Sequence, residues 1–207
     1  YFEKALKTRE DMGDKKGMAQ SYNNFGLTYS SQKNFIKAIE YQLKALDILN
    51  QSGDTRERAM ALNNLGHAYA KNDDFIQALT YYLKSLELRK SLGDREGITT
   101  SYMNIAEVYS KQKNLPKALD YFNRSLEIAK GIGAKKRIKD SYQGVSEIYM
   151  KMGDYKSAYE NHLLYSSAKD SVLNEENSRS TAELKAKYEI DKKEREQEAQ
   201  IEKLNNE

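Results

Sequence analysis

Asn24, Asn64 and Asn104 stand 40 residues apart. A carboxamide offers both a donor and an acceptor, so a column of them could grip a peptide backbone whatever its side chains. The same column could instead bond the adjacent helix and order the molecule, and the sequence leaves both readings open. Other chemistry is thin. The chain has no Cys and 2 His, which removes disulfides and thiolate catalysis and leaves too few ligands for a His- or Cys-based metal site. No Ser–His–Asp set, Gly-rich phosphate loop or carboxylate pair with a burial signal is present. The expectation is therefore no enzyme activity, no cofactor and no metal.

The elements that position these residues follow from a repeat. Gly13, Gly53, Gly93 and Gly133 are 40 apart, as are Tyr29, Tyr69, Tyr109 and Tyr149, and Ala38, Ala78, Ala118 and Ala158. Leu6, Leu46, Leu86 and Leu126 keep the same step, and Phe35, Phe75, Leu115 and Tyr155 follow it conservatively. Each period reads as two helices. Gly53 suits a left-handed helix stop, and Asp54 a helix N-cap. Leu62, Leu65, Gly66 and Tyr69 then form one helical stripe. Asp74 caps a second helix carrying Phe75, Ala78, Leu79, Tyr82 and Leu86, with Asn34, Asn114 and Asp154 at the same cap position. Pro116, the single Pro, falls in a first turn, where its missing N–H costs nothing. Small Gly26, Gly66, Ala106 and Ser146 let paired helices approach closely.

The pattern Leu62-x-x-Leu65-Gly66-x-x-Tyr69, with Ala78 and Tyr82, resembles the tetratricopeptide repeat. Tyr22-x-x-Phe25-Gly26-x-x-Tyr29 and Tyr102-x-x-Ile105-Ala106-x-x-Tyr109 match it, and Tyr142-x-x-Val145-Ser146-x-x-Tyr149 diverges most. The period is 40 rather than the family's usual 34. The resemblance implies an all-α, right-handed superhelix (α-solenoid) of helix pairs with a C-terminal helical tail. Residues 1–14 then form a partial leading repeat carrying only the second helix, 15–170 four repeats, and 171–207 a capping helix and charged helical linker. The phrases Asn23-Asn24-Phe25-Gly26 and Asn63-Asn64-Leu65-Gly66 resemble 40-residue variants found in scaffolds and peptide-sensing bacterial regulators. The tail, from Lys169-Asp170-Ser171 through Leu184, Lys187-Tyr188-Glu189 and Lys193-Glu194, resembles the segment after the repeats in Bacteroidetes-type sensor histidine kinases and transcriptional regulators.

At 100° per residue from Tyr22, the stripe Phe25, Gly26 and Tyr29 lies at roughly 300°, 40° and 340°. Gln20, Asn24, Leu27 and Ser31 fall on the opposite side, at roughly 160°, 200°, 140° and 180°. In the tetratricopeptide superhelix that side of the first helix lines the concave groove. The equivalents are Met60, Asn64, His67 and Lys71, then Thr100, Asn104, Glu107 and Lys111, then Asp140, Gly144, Glu147 and Lys151. The expected binding face is thus Gln20, Asn24, Leu27, Met60, Asn64, His67, Lys71, Thr100, Asn104, Glu107, Lys111 and Glu147. Neighbouring first helices about 10 Å apart match about three residues of extended peptide. His67 reads as a polar lining residue, and His162 as core or rim packing. Leu27 and Thr100 stand where a two-carboxylate clamp would need polar or basic residues, which argues against a chaperone-tail receptor.

The chain has 207 residues, 34 basic and 31 acidic, for a net charge of +3. The basic residues are spread among acidic ones, so no nucleic-acid track is expected. Lys135-Lys136-Arg137 reads as a solvated turn. No apolar run nears the roughly 18 residues of a membrane helix, so no membrane contact by this segment is expected. Residue 1 is Tyr rather than Met, so a piece of a longer protein is expected, and the resemblance of the tail implies a membrane helix following it. Leu184 and Tyr188 are expected to cap the last apolar face. Beyond them Ile190, Ala199, Ile201 and Leu204 make a poor heptad seam, favouring a solvated linker over a homodimeric coiled coil. The function expected is non-enzymatic binding of a protein or extended peptide, in the sensory region of a bacterial signal-transduction protein, with an extracytoplasmic (periplasmic) location. The alternative is a free-standing cytoplasmic scaffold or adaptor that assembles a protein complex.

Overall fold

The computed structural model describes the backbone of residues 2–205, and the side chains of residues 6–190, 193 and 197. All regular elements among these residues are α-helices: α1 (Phe2–Asp11), α2 (Lys15–Ser31), α3 (Phe35–Ser52), α4 (Thr55–Lys71), α5 (Phe75–Ser91), α6 (Arg95–Lys111), α7 (Leu115–Gly131), α8 (Lys135–Met152) and α9 (Tyr155–Asn205). Consecutive helices pack in pairs, α2 on α3, α4 on α5, α6 on α7 and α8 on α9, and the first helices touch in series along the array. The fold is an α-solenoid. α1 stacks on α2.

Local chemistry sets each boundary. Asp14, Asp54 and Asp94 cap α2, α4 and α6 by accepting from the backbone N–H three residues on. Asn34, Asp74, Asn114 and Asp154 do the same for α3, α5, α7 and α9. Ala134 breaks the series, and α8 has no side-chain cap. Turns between pairs place Gly13, Gly53, Gly93 and Gly133 at φ of 65–74°. The equivalent turn within a pair uses Lys33, Asp73 and Lys113 at φ 60–61°, and Gly153 at φ 81°.

Packing explains the small residues. Ala38, Ala78 and Ala118 are fully buried. A Cβ on Gly66 would come within 2.7 Å of the Tyr82 ring. Tyr29, Tyr69 and Tyr109 stack on Tyr41, Tyr81 and Tyr121 at centroid distances of 5.3, 5.3 and 5.6 Å, which joins the α2–α3, α4–α5 and α6–α7 pairs at their turn end.

One sequence expectation needs correction. Leu184 and Tyr188 do not close the array: they are 71% and 64% exposed, and among the described residues of the tail it is Val172, one turn of α9 beyond Ala168, that is buried. Leu184 and Tyr188 lie too far along α9 to reach α8. The basic cluster at the start of α8 is exposed at Lys135 and Lys136, as its solvated reading has it, and it makes ion pairs as well. Lys135 pairs with Glu175 and Lys136 with Glu176, both at 2.8 Å, so it clasps α9. α9 itself passes residue 170 without a break. Leu173 and Ile190 are exposed on it. The side chains of Ala199, Ile201 and Leu204, on which the dimer reading turns, lie outside the described residues, as do those of Tyr1, Phe2 and Ala5.

Candidate functional site

The free faces of α2, α4, α6 and α8 carry columns of residues with a step of 40. One column runs Asn24, Asn64, Asn104 and Gly144. Its neighbour runs Asn23, Asn63, Met103 and Gln143. The two interlock. Asn64 Nδ2 donates to Asn23 Oδ1 at 2.8 Å, and Asn104 Nδ2 to Asn63 Oδ1 at 2.9 Å. The ordering role left open by the sequence is therefore present. Each bond takes one of the amide N–H groups, and Oδ1 of Asn64 and of Asn104 accepts nothing among the described residues. Asn24 is exposed and its side chain has no partner among them. Asn23 and Asn63 were not singled out as functional in the sequence, although the doubled Asn phrase carried the signal.

The interlock ends at Met103 and Gly144 for a steric reason. A Cβ at position 144 would run into the Phe122 ring, which leans across from α7. Where the bond is missing the groove opens into a cavity of about 420 Å3. Met103, Phe122, Gly144 and Ile148 form its floor, and Glu107, Lys111, Asp140, Gln143, Glu147 and Lys151 its edge.

The charged edge is unequally satisfied. Lys151 Nζ donates to Ser110 Oγ at 2.8 Å, and Lys111 Nζ reaches the Ala70 carbonyl at 3.5 Å and lies over the Phe75 ring. Both lysines thus turn back onto the preceding repeat. Asp140 pairs with Lys139 and Arg137. Glu147 accepts from Gln143 at 2.9 Å. Glu107 has no hydrogen bond and no ion pair among the described residues. Desolvation in the groove pushes its carboxyl above the ordinary range, Lys71 and Lys111 pull it back, and Glu147 raises it further. His67 is lowered, by desolvation first and then by Lys71 and Lys111, so it lines the groove as a neutral imidazole at pH 7.

The other expected residues spread along the groove. Gln20 and Met60 meet in a shallow recess with Asn23 and Glu57. Leu27 and Met60 are each 47% exposed. Thr100 gives its hydroxyl to the Glu96 carbonyl of its own helix at 3.3 Å. Lys71 is exposed beside His67. His162 is exposed against Tyr165 at 5.5 Å, a rim position. Among the described residues no cluster of His, Cys, Asp and Glu could hold a metal, and no helix is long and apolar enough to cross a membrane.

Two family models, both described as tetratricopeptide repeat, match residues 57–131 and 18–51. No curated protein matches the chain. Similar solved structures include BtubC from P. vanneervenii, 19% identical, with a TM-score of 0.75 over 83% of this chain and 71% of that one. Aspartyl phosphate phosphatase F from Bacillus subtilis is 15% identical, with a TM-score of 0.77 over 83% of this chain and 45% of that one. A Rap protein complexed with competence and sporulation factor is 20% identical, with a TM-score of 0.67 over 72% and 42%. The chain therefore spans less than half the length of the last two.

Proposed function

Because the chain is a tetratricopeptide repeat protein, a protein-interaction domain, we propose that it holds an extended peptide or protein segment along the concave columns of α2, α4, α6 and α8. It does so without catalysis, as the sensory region of a bacterial signalling protein. The observation that carries this reading is the carboxamide column. Asn24 has an unengaged amide, and Asn64 and Asn104 each present a carbonyl oxygen after fixing the spacing between helices. Such groups bind main chain without selecting side chains. Likeness in fold to a Rap protein complexed with competence and sporulation factor, and to a signal transduction ATPase with a tetratricopeptide repeat sensor from Pyrococcus horikoshii, supports a regulatory role.

Peptides selected from a random library separate binding from folding. Asn24→Ala should weaken a selected peptide about ten-fold, as expected for one or two lost hydrogen bonds, with an unchanged melting temperature. Asn64→Ala and Asn104→Ala should weaken it and also cost about 1 kcal/mol of stability each, because each breaks an interlock. Parental affinity in all three variants would sink the groove reading. The signalling setting is tested by the adjoining reading frame. A membrane helix followed by a kinase or DNA-binding domain is expected, and a stop codon near Glu207 with no export signal would overturn it.

A further inference from the structure

The 420 Å3 cavity between α6 and α8 is different in kind from the rest of the groove. Elsewhere paired asparagines cross from one first helix to the next. Here Met103 and Gly144 replace them, and the space between the helices is open down to Phe122 and Ile148. An apolar floor with a charged edge fits a side chain that has an aliphatic stem and a charged end. The sign of that end follows from which edge groups already have partners. Lys111 and Lys151 are drawn back to Ala70 and Ser110, and Asp140 is paired with Arg137 and Lys139. Glu107 is left without a partner among the described residues, and Glu147 has only the neutral Gln143 amide. Glu107 and Glu147 are thus the edge carboxylates without an ion pair, and the nearest ammonium groups are held back on neutral acceptors of the preceding repeat.

We propose that this cavity receives one arginine or lysine side chain of the bound segment, its stem against Met103, Phe122 and Ile148 and its cation between Glu107 and Glu147. This rests on the groove reading above and adds the residue class selected at one position. The remainder of the column supports the polarity. From α2 to α8 it reads Leu27, His67, Glu107 and Glu147, changing from apolar to acidic. A basic residue near one end of the ligand therefore has a defined place, and an apolar one is accommodated at the other, beside Leu27 and Met60. Glu107 is harder to keep ionised than an ordinary carboxylate, because desolvation and Glu147 act against the pull of Lys71 and Lys111. A cation in the cavity relieves that penalty, since an opposite charge at short range favours the ionised form.

A random dodecapeptide display library panned against the parent and Glu107→Gln tests the proposal. Glu107 opens onto the groove and makes no bond among the described residues, so the variant should fold as the parent does, which its circular dichroism and melting temperature will show. The expected parental pool is enriched in Arg or Lys at one position. A peptide from that pool should lose about ten-fold in affinity for Glu107→Gln, and a similar amount when its basic residue becomes Leu. The two changes together should lose little more than either alone. A pool that binds, is sensitive to Asn24→Ala, and shows no basic preference would overturn this inference while leaving the groove reading intact. Parental affinity in Glu107→Gln would do the same. A library that yields no binder sensitive to Asn24→Ala would overturn both.

Discussion

Lys33, Asp73 and Lys113 hold φ near 60° at the turn within each pair, where the fourth pair has Gly153. The left-handed region costs an L-residue about 1–2 kcal/mol, and glycine's greater freedom when unfolded takes back part of any gain. Lys113→Gly should therefore stabilise the chain by about 0.5 kcal/mol. Gly153→Ala should destabilise it, although a Cβ there meets nothing within 4 Å. Thermal melts of the two variants check this. A fall for Lys113→Gly would mean that its side chain contributes something the geometry does not show. Asn23 and Asn63 belong to the same scale. The 40-residue step identified their neighbours, but a bond between residues 41 apart depends on the stagger of adjacent helices, which no single-helix projection contains.

At the scale of elements, the helix starts were legible because they depend on local chemistry. An Asp or Asn at a fixed register accepts from the N–H three residues on, and seven such caps are formed among the described residues. The exception gives a prediction. Ala134→Asp at the uncapped start of α8 should add about 1 kcal/mol of stability, read as an increase in melting temperature. No increase would indicate that the Lys135 and Lys136 pairs with α9 already hold that end as firmly as a cap. Those pairs were not legible. They join residues 40 apart on different helices, and nothing in a local run of Lys and Arg distinguishes a solvated turn from one that meets two glutamates. The exposure of Leu184 and Tyr188 was hidden for a related reason. Periodicity shows that a residue is apolar and on a stripe, but the end of the neighbouring helix decides whether anything covers it.

Across the whole molecule, contacts run from each helix to the next and between successive first helices. Such an array is stabilised repeat by repeat rather than around one centre. The two larger apolar clusters join α4, α5, α6 and α7, and α6, α7 and α8, whereas the cluster linking α2, α3 and α4 has three buried members, Ala19, Leu49 and Ala61. Native-state hydrogen exchange should therefore be slowest in α5, α6 and α7, faster in α2 and α3, and fastest in α1 and in α9 beyond Arg179. Equal protection from α1 to α9 would show a single cooperative unit and contradict the modular reading.

The length of α9 has a mechanical consequence. Its 51 residues form one unbroken helix, anchored to α8 through Val172 and the glutamates at 175 and 176. Past Arg179 a stretch of roughly 39 Å of rod extends from that anchor. A tilt of the last pair by about 10° would swing its far end through about 7 Å, by lever geometry on the helical rise. A ligand that draws α6 and α8 together by a fraction of a helix diameter would thus be read out at the tip as a displacement larger than a full helical turn. By that geometry, any small tilt of the last pair would become a stroke at the end of the rod.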